Sequence, residues 1–435
     1  MIALSSIVNP ALADIAEKVQ AGVRLSGAEG LRLYESPHVH DVGLLADHVR
    51  RRLNGNVTYY NVNRHINYTN YCVLRCKFCS FFRPYEKPAE RGGQAVAGDG
   101  AGAAAPGARR LSLALETDSL RGERAWGASP AYELTVEEIV ALAQRAAERG
   151  ATEVHIVGGL HPALPFSYYV EMCAAIRSAC PQLHIKAFTA IEIIHFSRIA
   201  RPRRSVREVL MALRDAGLGS LPGGGAEIFD DRVHAEAYQA KVGEQGWFDV
   251  HREAHALGMF TNATMLYGHV ERPAERIAHL EKLRAHQDES LATRPAHFNC
   301  CIPLSFVPQG SALAHLPGPT GLDDLRTLAI TRLMLDNVAH VKAFWIMQSV
   351  KLAQVAQDWG CDDLDGTVTY YDITKREGGP GNTHQELTVD QIRRLIRETG
   401  CEPVERDTLY RRVVRGRDGR IVAAPSAGAA AAPAG

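Results

Sequence analysis

Three thiols stand within eight residues at Cys72, Cys76 and Cys79, spaced C-x3-C-x2-C in the stretch RHINYTNYCVLRCKFCSFF (64–82). Thiolates are strong ligands for soft metals, and so tight a cluster reads first as a metal site. Three ligands from one loop do not complete a structural zinc site, which normally takes four. His65 is a candidate fourth ligand, so a closed zinc site is one alternative. The other is a cubane iron–sulfur cluster, in which the thiolates hold three irons and the fourth iron is left open as a reactive position. The remaining cysteines are scattered, and Cys173, Cys180, Cys300 and Cys301 fall in or beside predicted helices and strands. These read as small buried hydrophobes.

A reactive loop needs a scaffold. Leu12, Ile15, Ala16 and Val19, and then Leu44, Leu45 and Val49, recur at helical spacing before a Gly55 stop, which gives an N-terminal helical extension over 1–56. VTYYNV (57–62) and RHINYTN (64–70) read as strand leading into the cysteine loop. Thr135 and Glu138 form a capping box that opens a helix to about Arg149.

Strands and helices then alternate. EVHIVGG (153–159), HIKAFTA (184–190), SLPGGGAEIF (220–229), MFTNATMLYG (259–268), HFNCCIPL (297–304), KAFWIM (342–347) and DLDGTVTY (363–370) are the strand candidates. This rhythm implies a parallel sheet, and about seven or eight repeats favour an α/β fold closed into a TIM-type barrel over 57–415. A doubly wound open sheet is the alternative. Asn262 and Thr264 share one strand face, as do His184 and Lys186. Polar groups inside buried strands are costly unless bonded or functional, so an inward-facing site is expected. The Gly/Ala-rich stretch 86–130 reads as a disordered insertion, and 416–435 as a disordered tail.

Lys plus Arg and Asp plus Glu both number 49, which gives no support for a broad nucleic-acid or anionic-membrane surface. No run approaches the ~20 apolar residues of a membrane span, and MIALSSIVNPALADIAEKV lacks a secretory n-region. The odd cysteine count does not suit a secreted disulfide framework, and a reducing cytoplasm is the expected location.

The cysteine spacing, with Phe78 directly before Cys79, resembles the signature of the radical S-adenosylmethionine superfamily. That resemblance implies a [4Fe–4S] cluster on Cys72, Cys76 and Cys79, with S-adenosylmethionine chelating the open iron. One electron, from a reducing donor such as flavodoxin or ferredoxin, would then release methionine and a 5′-deoxyadenosyl radical. It also implies that Gly158 and Gly159 approach the methionyl amino group, although GGLHP stands where a GGE-type ending is commoner. Thr189 and Glu192 become candidates for the ribose hydroxyls.

HINYTNYCVLRCKFCSF, VHIVGGLHP, HIKAFTAIEI, SLPGGGAEIF, NATMLYGH and LDGTV together resemble the aminofutalosine synthases of the futalosine route to menaquinone. KAFTAIEI (186–193) sets the chain apart from the dehypoxanthine futalosine cyclases and the deazaflavin-chromophore synthases, which tend to an HAFSP-type segment. The resemblance implies addition of the adenosyl radical to 3-[(1-carboxyvinyl)oxy]benzoate, a small dianionic aromatic. Such a substrate asks for cations or backbone donors, for which Arg64, Lys186 and the amides of Gly223, Gly224 and Gly225 are candidates. His161 and His269 are candidates for proton transfer, and no catalytic base follows from the sequence.

Overall fold

Short runs of β-branched and aromatic residues become the strands that carry the cysteine loop. The computed structural model describes residues 3–85, 131–238, 240–368, 386–416 and 419–423. The 86–130 insertion, residues 369–370 of the last predicted strand, and 417–418 and 424–435 of the tail lie outside the described residues. The strands are β1 (Val57–Asn61), β2 (Asn63–Ile66), β3 (Glu153–Ile156), β4 (His184–Ala187), β5 (Leu218–Ser220), β6 (Thr261–Tyr267), β7 (Phe298–Ser305), β8 (His340–Val341), β9 (Asp363–Gly366), β10 (Glu402–Glu405), β11 (Val414–Arg415) and β12 (Ile421–Ala423).

β2, β3, β4 and β5 pair in parallel, and so do β6, β7 and β8. Parallel bridges Leu221–Thr261 and Lys342–Asp363 join β5 to β6 and β8 to β9. The ring closes where the His65 N–H donates to the Val368 carbonyl at 2.9 Å. Strands β2 to β9 thus follow one another round a barrel in chain order. β1, continuous with β2, runs outside between β9 and β10.

Helices cover the barrel because their starts are capped and one face is apolar. Thr135–Glu138, Thr189–Glu192 and Ser205–Glu208 all form reciprocal capping boxes. Helix Val206–Asp215 buries Val209, Leu210 and Leu213 completely, at roughly 1.5–3 kcal/mol each. The N-terminal helices Gly27–Glu35 and Val39–Asn54 pack on helices Pro273–Thr293 and Gly321–Met334, and Ala13–Ala21 packs on Val39–Asn54. Contact there is close: a Cβ on Gly30 would stand 2.7 Å from both Ile277 Cδ1 and Met334 Sδ. Among the described residues no helix is long and apolar enough to cross a membrane.

Three expectations need correction. KAFWIM was expected as a strand, but β8 ends at Val341 and Trp345–Gln348 is helical. There the chain turns across the barrel, and the Trp345 indole donates to the Gly366 carbonyl at 3.0 Å. Helix Val389–Glu398 and β10 carry the chain back to β1, where no element was anticipated. The tail was expected to be structureless from Gly416, yet β12 pairs antiparallel with β11.

Candidate active site

The cysteine loop leaves β2 and is tied down from three sides. Val73 N–H donates to Leu160 O at 3.0 Å, Lys77 N–H to Ala237 O at 2.8 Å, and Ala312 N–H to Lys77 O at 2.8 Å. Cys72 N–H donates to Arg83 O at 3.0 Å, which closes the loop on itself. Val73, Arg75 and Lys77 face solvent, while Cys72, Leu74, Cys76, Phe78 and Cys79 face a shared cavity.

The paired glycines at the end of β3 are explained by this docking. A Cβ on Gly159 would lie 2.2 Å from the Tyr71 carbonyl oxygen, and one on Gly158 would lie 2.7 Å from the Tyr68 ring. Any side chain here would lift the cysteine loop off the strand.

Burial pushes all three thiols up, Cys76 to about 12, against the opposing pull of the Lys241 ammonium. A soft cationic centre would reverse that balance, because it favours the thiolate it binds. Among the described residues no three His, Cys, Asp or Glu side chains converge as ligands of a single ion. A cubane does not require convergence, since each thiolate takes a different corner. Three soft donors around one end of an open cavity fit such a cluster.

The cavity below the loop measures about 270 Å³. Its wall is apolar, with Leu266, Ile302, Leu304, Phe344 and Met347, and its floor is polar. On the floor Lys186 Nζ lies 2.8 Å from Glu153 Oε2 and Lys342 Nζ lies 2.6 Å from Asp365 Oδ1. Arg406 pairs with Asp363 at 2.6 Å just behind. Burial would raise the Glu153 carboxyl, but Lys186, Arg406 and Lys342 outweigh it and hold it well below the usual range. Burial would lower Lys342, and Asp365 and Asp363 more than offset this. Lys186 is held below its ordinary value by burial, with Glu153 opposing. The His65 and His155 rings pack at 4.4 Å with planes tilted by 32°, and burial holds His65 down at about 4. Near the loop, Glu227 pairs with Lys241, whose Nζ sits 5.2 Å over the Phe78 ring.

Backbone strain occurs at and beside this cavity, where Glu227 and Asp365 line the wall and Phe188 follows β4. Phe188, Glu227 and Asp365 all adopt positive φ, at 63°, 46° and 64°, without being glycine. Such conformations cost of order 1–3 kcal/mol each and concentrate at functional sites.

The expected site residues divide. Phe78, Gly158, Gly159, Lys186, Thr189, Glu192, Gly223, Gly224 and Gly225 all line the cavity with the three cysteines. Gly223 lets the turn after β5 press against β6, since a Cβ would lie 2.6 Å from the Asn262 carbonyl oxygen. Glu192 is already engaged: Oε1 accepts from Tyr68 OH (2.8 Å) and Gly158 N–H (3.1 Å), and Oε2 from Thr189 N–H (2.7 Å) and Thr189 OH (2.8 Å). Burial dominates its titration and raises the carboxyl to about 7.

Three candidates stand elsewhere. Arg64 is buried but does not line the cavity, because alternate residues of β2 face opposite ways and His65 takes the inward position. His161 turns away: Nδ1 accepts from Ala163 and Leu164 N–H at 3.1 Å, and Nε2 lies 2.9 Å from Glu133. His269 is held between Leu266 O at 3.0 Å and Glu271 at 3.3 Å, also off the cavity. His65 as a zinc ligand finds no support either, since its ring packs on the floor against His155. His155, Lys342, Asp365, Glu227 and Lys241 were not foreseen as site residues. Strand register was the missing signal for the first three.

Comparison with known proteins adds independent findings. The family described as "Radical SAM superfamily" matches residues 66–283, and "CofH/MqnC C-terminal region" matches 296–416. The chain is 41% identical to the aminodeoxyfutalosine synthase of Thermus thermophilus over 94% of its own length and 98% of that protein's. It is 38% identical to the aminodeoxyfutalosine synthase of Streptomyces coelicolor, covering 91% and 92% of the two chains. The crystal structure of methylornithine synthase shares the fold at TM-score 0.60 and 17% identity, covering 89% of this chain and 96% of that one.

Proposed function

Because this chain belongs to the radical S-adenosylmethionine superfamily, and within it to the aminodeoxyfutalosine synthases, we propose that it joins the 5′-deoxyadenosyl group of S-adenosylmethionine to 3-[(1-carboxyvinyl)oxy]benzoate. The products are 6-amino-6-deoxyfutalosine, methionine and bicarbonate, and the reaction serves menaquinone biosynthesis. The observation that carries this reading is a single cavity with three inward-facing thiols at one end and paired buried cations at the other, joined by an apolar wall.

Cys72, Cys76 and Cys79 would hold the [4Fe–4S] cluster, which when bound supplies the electron that cleaves S-adenosylmethionine. The chain's own residues do the rest. Gly158 and Gly159 keep the cysteine loop seated on the end of β3. Thr189 and Glu192 border the adenosyl side; with four donors already on its carboxyl group, Glu192 acts by fixing Tyr68, Gly158 and Thr189. Leu266, Ile302, Leu304 and Phe344 exclude water and offer a slot for a flat ring. An acidic one-electron carrier of the flavodoxin or ferredoxin kind, in a reducing cytoplasm, suits the exposed Arg75 and Lys77 on the outer side of the loop.

Anaerobic turnover of the reconstituted protein with S-adenosylmethionine, a reductant and the enolpyruvyl benzoate tests the reading. The expected product carries the adenosyl mass joined to the substrate less its lost carboxyl group. Free 5′-deoxyadenosine with no adduct would reject the synthase in favour of a radical cyclase.

A further inference from the structure

We propose that His155 recognises the ring carboxylate of the substrate on the polar floor of the cavity, opposite the cysteine loop, and so decides which end of the molecule faces that loop. This rests on the functional reading above and adds to it a residue and an orientation.

The argument begins with register. His65, His155 and Lys186 lie abreast on β2, β3 and β4, and all three face the cavity. A barrel layer at this depth is normally filled by branched apolar side chains, so a polar row calls for a function or a full set of partners. The charged groups in and around this row have partners: Lys186 with Glu153, Lys342 with Asp365, and Arg406 with Asp363 behind them. Glu153 also accepts from the Thr408 hydroxyl at 2.7 Å.

His155 differs. Among the described residues its ring has no hydrogen-bond partner, and it is only partly buried because it opens onto the cavity. The ring rests tilted against His65, at 4.4 Å between centroids with planes 32° apart, and borders the cavity where a ligand would lie. Burial leads in holding this ring well below the ordinary histidine range, so it meets a ligand as a neutral N–H donor, with the Lys186 and Lys342 ammonium groups on the same floor. A carboxylate oxygen is an acceptor that this N–H can serve beside those two lysines.

Length supplies the orientation. Gly159, against the cysteine loop, is four residues along from His155, at most roughly 13 Å of extended chain at ~3.3 Å per residue. The enol ether and the ring carboxylate of the substrate sit on different carbons of one rigid ring. A carboxylate held at His155 points the enol ether toward the thiols. The reverse placement would put the reacting carbon among Lys186, Lys342 and Asp365, away from the loop.

Calorimetric binding of 3-[(1-carboxyvinyl)oxy]benzoate to the reconstituted holoprotein, without reductant, tests this. The comparison ligand is the same enolpyruvyl ether on an unsubstituted phenyl ring. His155→Phe keeps an aromatic ring and removes the N–H, and His155→Asn restores a donor in a smaller side chain. The expected result is at least tenfold weaker binding of the benzoate to His155→Phe, partial recovery in His155→Asn, and equal binding of the phenyl ether to wild type and both variants. Unchanged benzoate affinity in both variants would overturn the assignment while leaving the functional reading intact. Equal weakening for both ligands would also overturn it, since His155 would then act on shape alone. Failure of the wild-type protein to bind the benzoate would overturn both.

Discussion

Lys342 and Asp365 are 5% and 2% exposed, so neither can turn to water if its partner is lost. Breaking a buried pair from one side leaves an uncompensated charge and typically costs 3–5 kcal/mol. Lys342→Met should lower stability by about that amount in urea unfolding. Adding Asp365→Asn should recover a large share, and an equal loss in the double variant would show that the pair is not the unit. The cysteines make a separate prediction: Cys76→Ser should lose most cluster iron in a colorimetric assay, whereas Cys173→Ala, altering a fully buried helix residue, should keep it. Spacing alone made the cysteines legible. The floor was not, because His65 and Lys342 mean little until parallel register sets them beside His155 and Asp365. His161 and His269 were misplaced for a related reason. Proximity to a strand end says nothing about which way a loop side chain turns, and both found backbone partners away from the cavity.

Helix Ala190–Ile199 is positioned by its own first turn. The Thr189–Glu192 capping box is ordinary, but Glu192 also reaches Tyr68 and the end of β3, so one carboxyl group ties β3, β4 and the approach to the cysteine loop together. Its burial has a pH consequence. With a folded value of about 7 against an ordinary 4.5, the folded state binds a proton that the unfolded chain has released, so this contribution is present in acid and lost as pH rises from about 4.5 to 7. Glu192→Gln removes the titration. Relative to that variant, wild type should lose of order 3 kcal/mol between pH 4.5 and 8, and parallel stability profiles would contradict the value assigned to Glu192. Capping boxes are local, which is why this helix and Val136–Glu148 could be read from sequence. KAFWIM could not. A buried apolar run lacks the periodicity that separates strand from helix, and here the barrel's need to be covered near Gly366 decided it.

Across the whole molecule, closure of the barrel against its helices buries histidines far from the active site. His255, His279 and His286 sit between helices Glu244–Ala256 and Pro273–Thr293 and the strands beneath, held down by burial at about 2, 3 and 4 respectively. His184 and His65, on the barrel itself, lie at about 4. All five charge more readily in the unfolded chain, near 6.5, so stability is full above that pH and falls as the solution is acidified toward the folded values. Below pH 6.5 each such histidine contributes a loss of about 1.4 kcal/mol per pH unit. His286 isolates the effect, because among the described residues neither ring nitrogen has a hydrogen-bond partner and the ring packs against Phe248 at 5.1 Å and Phe298 at 5.2 Å. An aromatic hydrocarbon can occupy that place without leaving a polar atom behind. His286→Phe should match wild type within about 1 kcal/mol at pH 8 and exceed it by about 2 kcal/mol at pH 5, measured by urea unfolding at both values. Equal pH slopes in the two proteins would mean that acid sensitivity arises elsewhere than in this packed layer.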